Sequence, residues 1–263
     1  MSVQQQSIMT KLGSPFEQVV RPSDDSHPAR VAVDTQRISF VLFAIAAVLA
    51  VVGAFANVVI YQIADSPDAD IARIMTRFDL GHEPSLPAWF SSLVLFFNSA
   101  MLILISRVKY SSKDAFSFHW LALGIIFLGL SIDESVMFHE MLDKLISFAV
   151  KTSGFLLFPW AVLGLLFALT VFIVYLKFLF HLPQRFAFLF ITSGALYVGG
   201  AVGMEFIAAR IIDGFGVASI YHTIVQTIEE SLEMIGAILF FYSLTEYWNN
   251  RYGGMEISSP KQS

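Results

Sequence analysis

The chain alternates long apolar runs with short polar stretches, and the runs are too long to be ordinary core helices. Six of them, approximately 38–63, 87–106, 117–142, 155–180, 185–212 and 220–246, consist mostly of apolar residues. About 20 such residues suffice to cross ~30 Å of hydrocarbon as an α-helix. The pattern predicts an all-α fold, a polytopic membrane helix bundle with six transmembrane helices. The third and sixth runs carry acids, yet their apolar parts, WLALGIIFLGL and MIGAILFFYSL, leave little alternative to a span. Their polar halves must then face protein, because lipid does not solvate polar groups.

The flanks read differently. Residues 1–37, with Pro15, Pro22 and Pro28 among Ser and Asp, predict a flexible N-terminal tail without the apolar segment of a secretory signal. Residues 247–263 form a short C-terminal tail. Between the first two runs lies the longest loop, residues 64–86, in which IARIMTRF has the pattern of a short amphipathic helix, on the membrane surface or over a cavity. Trp89, Trp120, Trp160, Tyr247 and Trp248 fall near span ends, where aromatic residues anchor helices at the interface.

Composition agrees with the membrane reading: 56% of residues are hydrophobic, 14% are charged and 26 are Phe. The net charge of −5 and the absence of a basic stripe argue against a nucleic-acid partner. No Cys is present, which excludes disulfides, thiolate nucleophiles and Cys-ligated metal.

Loop charges predict the orientation. With both termini on one side, that side holds Lys11, Arg21, Arg30, Arg37, Arg107, Lys109, Lys113, Lys177, Arg185, Arg251 and Lys261, which is 11 of the 16 Lys and Arg. The positive-inside rule then places both termini in the cytoplasm of a multi-pass inner-membrane protein.

Depth follows from direction. The third and fifth helices run outward and end in Asp133, Glu134, His139, Glu140 and in Glu205; the sixth returns inward with Glu229, Glu230 and Glu233 in its early turns. Seven acids from three helices thus reach one level, in the outer half of the membrane. A charge buried in hydrocarbon costs at least ~2.5–3.5 kcal/mol, so such acids pair, bind a cation, carry a proton or stay neutral. At ~100° per residue, His222, Gln226, Glu229, Glu230 and Glu233 form one stripe on the sixth helix. On the third helix Asp133, Met137 and Glu140 share a face, Glu134 flanks it on one side, and His139 lies about 100° from Glu140 on the other, toward a different neighbour. On the fifth, Ala195, Gly199 and Gly203 recur at every fourth position and predict close approach of a neighbouring helix, with Gly194 and Gly200 as further thin spots.

Three chemistries fit these residues. The first is a metal site, for which Asp133, Glu134, His139, Glu140, Glu205, Glu229, Glu230 and Glu233 are candidate ligands for zinc, iron or manganese. Neither the Glu-x-x-His pairs of di-iron bundles nor His-Glu-x-x-His is present. The second is a proton or cation path serving ion transport, in which crowded acids share protons. The third is a membrane-embedded, metal-dependent enzyme acting on a lipid or lipid-soluble substrate; Glu229-Glu230, however, has Met234 where CAAX-protease-like peptidases carry Arg. A structural or assembly subunit with neutralised acids is the plainest alternative, with Arg210 as the nearest helix-end cation. Asn57 and Asn98 are expected to hydrogen-bond between helices, and Ser131 and Ser135 to do the same or to pack. Ser-x-Asp-Glu followed by His-Glu in one helix and Glu-Glu-x-x-Glu in the last resembles bacterial polytopic membrane proteins of unassigned function.

Overall fold

The computed structural model describes residues 29–31, 34–63, 69–82, 84–149, 154, 157–253 and 255–257. Most of the expected N-terminal tail, part of the 64–86 loop and the last residues lie outside these. The described residues belong to two units. In one, β1 (Ala29–Val31) pairs antiparallel with β2 (Met255–Ile257). The other, residues 33–253, is the helical bundle.

The bundle contains α1 (Thr35–Ile63), α2 (Ala69–Met75), α3 (Leu86–Ser111), α4 (Ser117–Val136), α5 (Phe138–Ala149), α6 (Pro159–His181), α7 (Gln184–Val198), a π-turn over Gly199–Met204, α8 (Glu205–Phe215) and α9 (Ile220–Tyr252). Five stretches are long and apolar enough to cross a membrane: Thr35–Ile60, Leu86–Ser111, Ser117–Val136, Pro159–His181 and Gln184–Phe215. The sixth helix, α9, has 33 residues, and its acids keep it from reading as a plain apolar span. It packs against α1, α3, α7 and α8. The fold is therefore an all-helical membrane bundle.

Local chemistry fixes the helix ends. Ser85 caps α3 by accepting from the Ala88 N–H at 3.3 Å, with Pro87 in the first turn. Ser219 caps α9 in the same way through the His222 N–H, and Gly253, at φ 71°, ends it. The C-terminal end of α9 extends past the expected boundary at 246 because its last turns are packed: Tyr247 and Trp248 are buried, and Asn249 donates to the Thr35 hydroxyl at 2.7 Å.

Inside lipid, helix association rests on close packing and hydrogen bonds rather than on the hydrophobic effect. The α3–α4 pair shows how. Ser92, Ser99 and Ser106, seven residues apart, face Ser131, Gly124 and Ser117, spaced alike in the opposite direction. Their hydroxyls donate to the facing carbonyls at 2.7, 2.7 and 2.9 Å. Ser131 returns a bond to the Ser92 carbonyl, and Ser135 reaches the Ser92 hydroxyl, as expected of hydrogen-bonding residues. Asn98, fully buried, donates to the Ala237 carbonyl of α9 at 2.9 Å. Asn57 departs from expectation: its buried Nδ2 makes no hydrogen bond.

Beyond the acids, toward the other end of the bundle, Phe127 stacks on Phe240 at 4.6 Å, and Phe240 meets Phe190 edge to face at 4.8 Å, the contact continuing into Trp120. Trp120 is 1% exposed, so it is a core residue rather than the expected interfacial anchor. Tyr247 and Trp248 are corrected likewise, whereas Trp89 is 59% exposed. Sequence position near a span end does not distinguish these, because the ring's direction depends on which neighbours cross there.

Candidate functional site: an acid-lined cavity

The third predicted helix is broken. Met137 adopts the left-handed conformation (φ 59°, ψ 44°), its N–H bonding back to the Asp133 carbonyl at 2.7 Å, and α5 leaves in a new direction. This overturns the shared face expected for Asp133, Met137 and Glu140. It also reverses the expectation for His139. The Asp133 carboxylate accepts the His139 backbone N–H at 3.0 Å and meets its Nδ1 at 2.9 Å. Asp133 thus caps the start of α5 and holds its first imidazole.

His139 in turn packs on the Trp160 ring, with centroids 4.9 Å apart. Trp160 opens α6, beside Pro159 in the first turn. Its backbone N–H donates to Asp143 of α5 at 2.8 Å and its indole N–H to Glu205 at 3.2 Å. Burial pushes the Asp143 carboxyl up from its ordinary value, against the opposing pull of the Trp160 N–H and of His139. Trp160 and Asp143 therefore belong to the site, although neither entered the candidate set. The Asp143 signal was available, since it lies on the same face of an amphipathic FHEMLDKLISFA segment as His139 and Glu140. Trp160 had no such signal, because its role depends on a contact 45 residues away.

Glu205 begins α8, directly after the π-turn of Gly199–Met204. A π-turn inserts an extra residue and re-aims the side chains beyond it, as often happens at functional sites. The turn lies against α9 at Gly200, where a Cβ would sit 2.8 Å from the Glu229 carbonyl and 3.1 Å from the Glu233 amide. Close approach thus occurs at Gly200, and on the α9 side at Gly236, whose Cβ would lie 2.6 Å from the Tyr197 amide. Of the expected stripe, Gly199 and Gly203 have nothing within 4 Å of an added Cβ, as the π-turn shifts the register there; of the two further thin spots, Gly200 carries the approach and Gly194 has nothing within 4 Å.

These elements enclose a cavity of about 570 Å³. His139, Glu140, Glu205, Glu229 and Glu230 of the candidate set line it, together with His222 and Gln226 of the α9 stripe. Lys144 also lines it and pairs with Glu140 at 2.9 Å. Gly81, from the loop before α3, completes the wall against Gln226. The loop is pinned there by Leu80, which is fully buried against Gly53 of α1. The expected IARIMTRF helix forms as α2, but it does not line the cavity.

Asp133, Glu134 and Glu233 stand behind the cavity wall rather than on it. With Glu230 they lie within electrostatic range of the Tyr197 hydroxyl. Glu205 is likewise in range of Asp143, His139, Glu140 and Glu229. The eight candidates thus fall into a cavity group and a Tyr197 group, joined by the Asp133–His139 pair. Arg210 is paired with Asp213 at 3.3 Å and is absent from the lining. Among the described residues, no three His, Asp or Glu side chains are grouped as ligands for a single metal ion.

The bundle that builds this cavity corresponds to a known sequence family. The chain belongs to the family described as domain of unknown function DUF8692, whose model matches residues 41–246. The match begins in α1 and ends in α9, so it takes in every residue named at the cavity. No curated protein and no solved structure matches the chain.

Proposed function

We propose that the protein binds a cation in this cavity, from the outer side of a bacterial inner membrane. The observation that carries the reading is the charge of the lining: Glu140, Asp143, Glu205, Glu229 and Glu230 face one ammonium, that of Lys144. Half-buried carboxylates crowded together are costly unless a positive charge or protons offset them. The orientation is part of the proposal and rests on the 11 of 16 basic residues that share a side with both termini.

Carboxylate and imidazole donors suit manganese, iron or zinc. A cavity of about 570 Å³ is far larger than a bare ion. The ion therefore binds with part of its water shell, the acids acting through charge and water-mediated hydrogen bonds rather than as a closed ligand cage. Protons share the same acids when the cation leaves. What supports binding from one side, rather than an open conduction path, is the Phe127–Phe240–Phe190 layer beneath the acids.

Calorimetric titration of the protein in lipid nanodiscs with manganese and zinc, and with tetramethylammonium as a bulky monovalent cation, tests the reading. Saturable binding of at least one of them, lost in Glu205→Gln/Glu229→Gln, is expected. The reading is overturned if none binds, or if the double variant binds equally well while its melting temperature is unchanged.

A further inference from the structure

The α5 helix (Phe138–Ala149) has two faces with different surroundings. At ~100° per residue, His139, Asp143, Ser147, Glu140 and Lys144 occupy one arc of about 140°. All five line the cavity. The opposite arc carries Phe138, Met141, Leu142, Leu145 and Phe148, exposed by 52, 58, 37, 67 and 93%. None of the helix's residues is buried, and in a water-facing protein this apolar face would stand uncovered.

We infer that α5 lies in the plane of the membrane, its apolar face seated at the headgroup–acyl boundary of a phospholipid leaflet, so that the bilayer itself holds one wall of the cavity. Continuity with the spanning surface identifies the occupant. The helix starts one residue after α4, a membrane span whose exposed Ile125, Ile132 and Val136 are lipid-facing residues leading directly to Phe138. On another side of the same cavity, the exposed Val217 lines it, and the exposed Phe215 and Tyr221 rings, 4.7 Å apart, flank Val217 in the chain. A strongly two-faced helix at the end of a span, too short to cross and carrying charge along one side, matches an interfacial helix. The left-handed turn at Met137 supplies the change of direction from crossing to lying flat.

Two fixed points hold the polar face toward protein: the Asp133 cap on His139 and the Asp143 bond to the Trp160 amide. The inference is independent of what the cavity binds, so its failure and that of the cation reading separate cleanly.

The absence of Cys makes single-site labelling unambiguous. Nitroxides are placed by Met141→Cys, Leu145→Cys and Phe148→Cys on the apolar face and by Ser147→Cys on the polar face. The full-length protein is then reconstituted in phosphatidylcholine–phosphatidylglycerol vesicles, and collisions with oxygen are compared with those of a water-soluble nickel chelate. The three apolar sites should favour oxygen, and Ser147→Cys should show the reverse ratio. Nickel access exceeding oxygen access at all three apolar sites would overturn the inference. So would dipolar broadening between labels that disappears on dilution with unlabelled protein, since that would place a second copy on the face instead of lipid.

Discussion

Asp133 grips His139 twice, through its backbone N–H at 3.0 Å and its ring nitrogen at 2.9 Å, across the left-handed turn at Met137. The pair lies between the two groups of acids, and the side chains are 29% and 24% exposed. It therefore does two jobs at once, ending a membrane span and aiming the first residue of the cavity wall.

Asp133→Asn keeps an oxygen for the backbone bond but removes the charge, whereas Asp133→Ala removes both contacts. Hydrogen bonds to a charged group contribute about 1.5–3 kcal/mol. Asp133→Ala is expected to lower the thermal midpoint in detergent or nanodiscs, with Asp133→Asn intermediate. Hydrogen exchange should rise over residues 138–149 and stay unchanged in α3. Equal protection of α5 in wild type and Asp133→Ala would show that the cap does not hold the helix.

The glycines separate by contact rather than by spacing. A Cβ at Gly236 meets the Tyr197 amide at 2.6 Å and the Ser193 carbonyl at 2.9 Å, and one at Gly200 meets the Glu229 carbonyl at 2.8 Å. These neighbours are backbone and cannot swing aside. Gly236→Ala and Gly200→Ala should each destabilise by about 1–3 kcal/mol, as overpacking does. Gly194→Ala, Gly199→Ala and Gly203→Ala meet nothing within 4 Å and should melt close to wild type. Melting curves of the five variants side by side decide the point, and a destabilised Gly203→Ala with an unaffected Gly236→Ala would contradict the packing.

That contrast shows where the sequence was legible. The spans, the all-helical fold and the gathering of Glu205, Glu229, Glu230 and Glu140 at one level follow from apolar run length and alternating direction, and both survive small errors in helix boundaries. Face assignments do not survive them. One left-handed residue at Met137 and one π-turn at Gly199–Met204 each shift the register, and every angle counted past them changes. That is why His139 faces Asp133 and why Gly200 rather than Gly203 touches α9. Trp160 was hidden for another reason: an indole near a span end satisfies the interfacial pattern equally well whether it faces lipid or, as here, donates to the half-buried Glu205.

At the opposite end of the bundle, Lys109 and Asp114 form an ion pair at 2.8 Å, their side chains 11 and 19% exposed. Burial alone would raise the Asp114 carboxyl, but the Lys109 ammonium and the Phe116 N–H outweigh it and hold the group below its ordinary value. The sign follows: a carboxyl depressed by folding stabilises the fold fully above its unfolded pKa of about 3.9, and that stabilisation is lost as pH falls through the folded value. Wild type should lose thermal stability below about pH 4 more steeply than Asp114→Asn, which lacks the titration and starts lower at neutral pH. Parallel curves for the two proteins from pH 7 downward would show that Asp114 does not set the acid limit.

Trp160 offers a direct reading of the cavity, because it touches His139, donates to Glu205 and lines the space where the cation is proposed to bind. Manganese is paramagnetic and quenches a nearby indole. The other three tryptophans are placed elsewhere, Trp120 and Trp248 buried and Trp89 exposed outside the cavity lining. Saturable manganese quenching of wild-type fluorescence is expected, and in Trp160→Phe that component should vanish. Phe keeps the ring packed against His139 but leaves Glu205 without its indole donor, so the carboxylate becomes a freer acceptor. Calorimetry should therefore show manganese binding to Trp160→Phe undiminished or tighter, about 1–2 kcal/mol at most for one hydrogen bond to a charged acceptor. Quenching that persists in Trp160→Phe would locate the ion away from this cavity, and binding lost altogether would show that the cation needs the Glu205 carboxylate held in place by the indole N–H rather than freed from it.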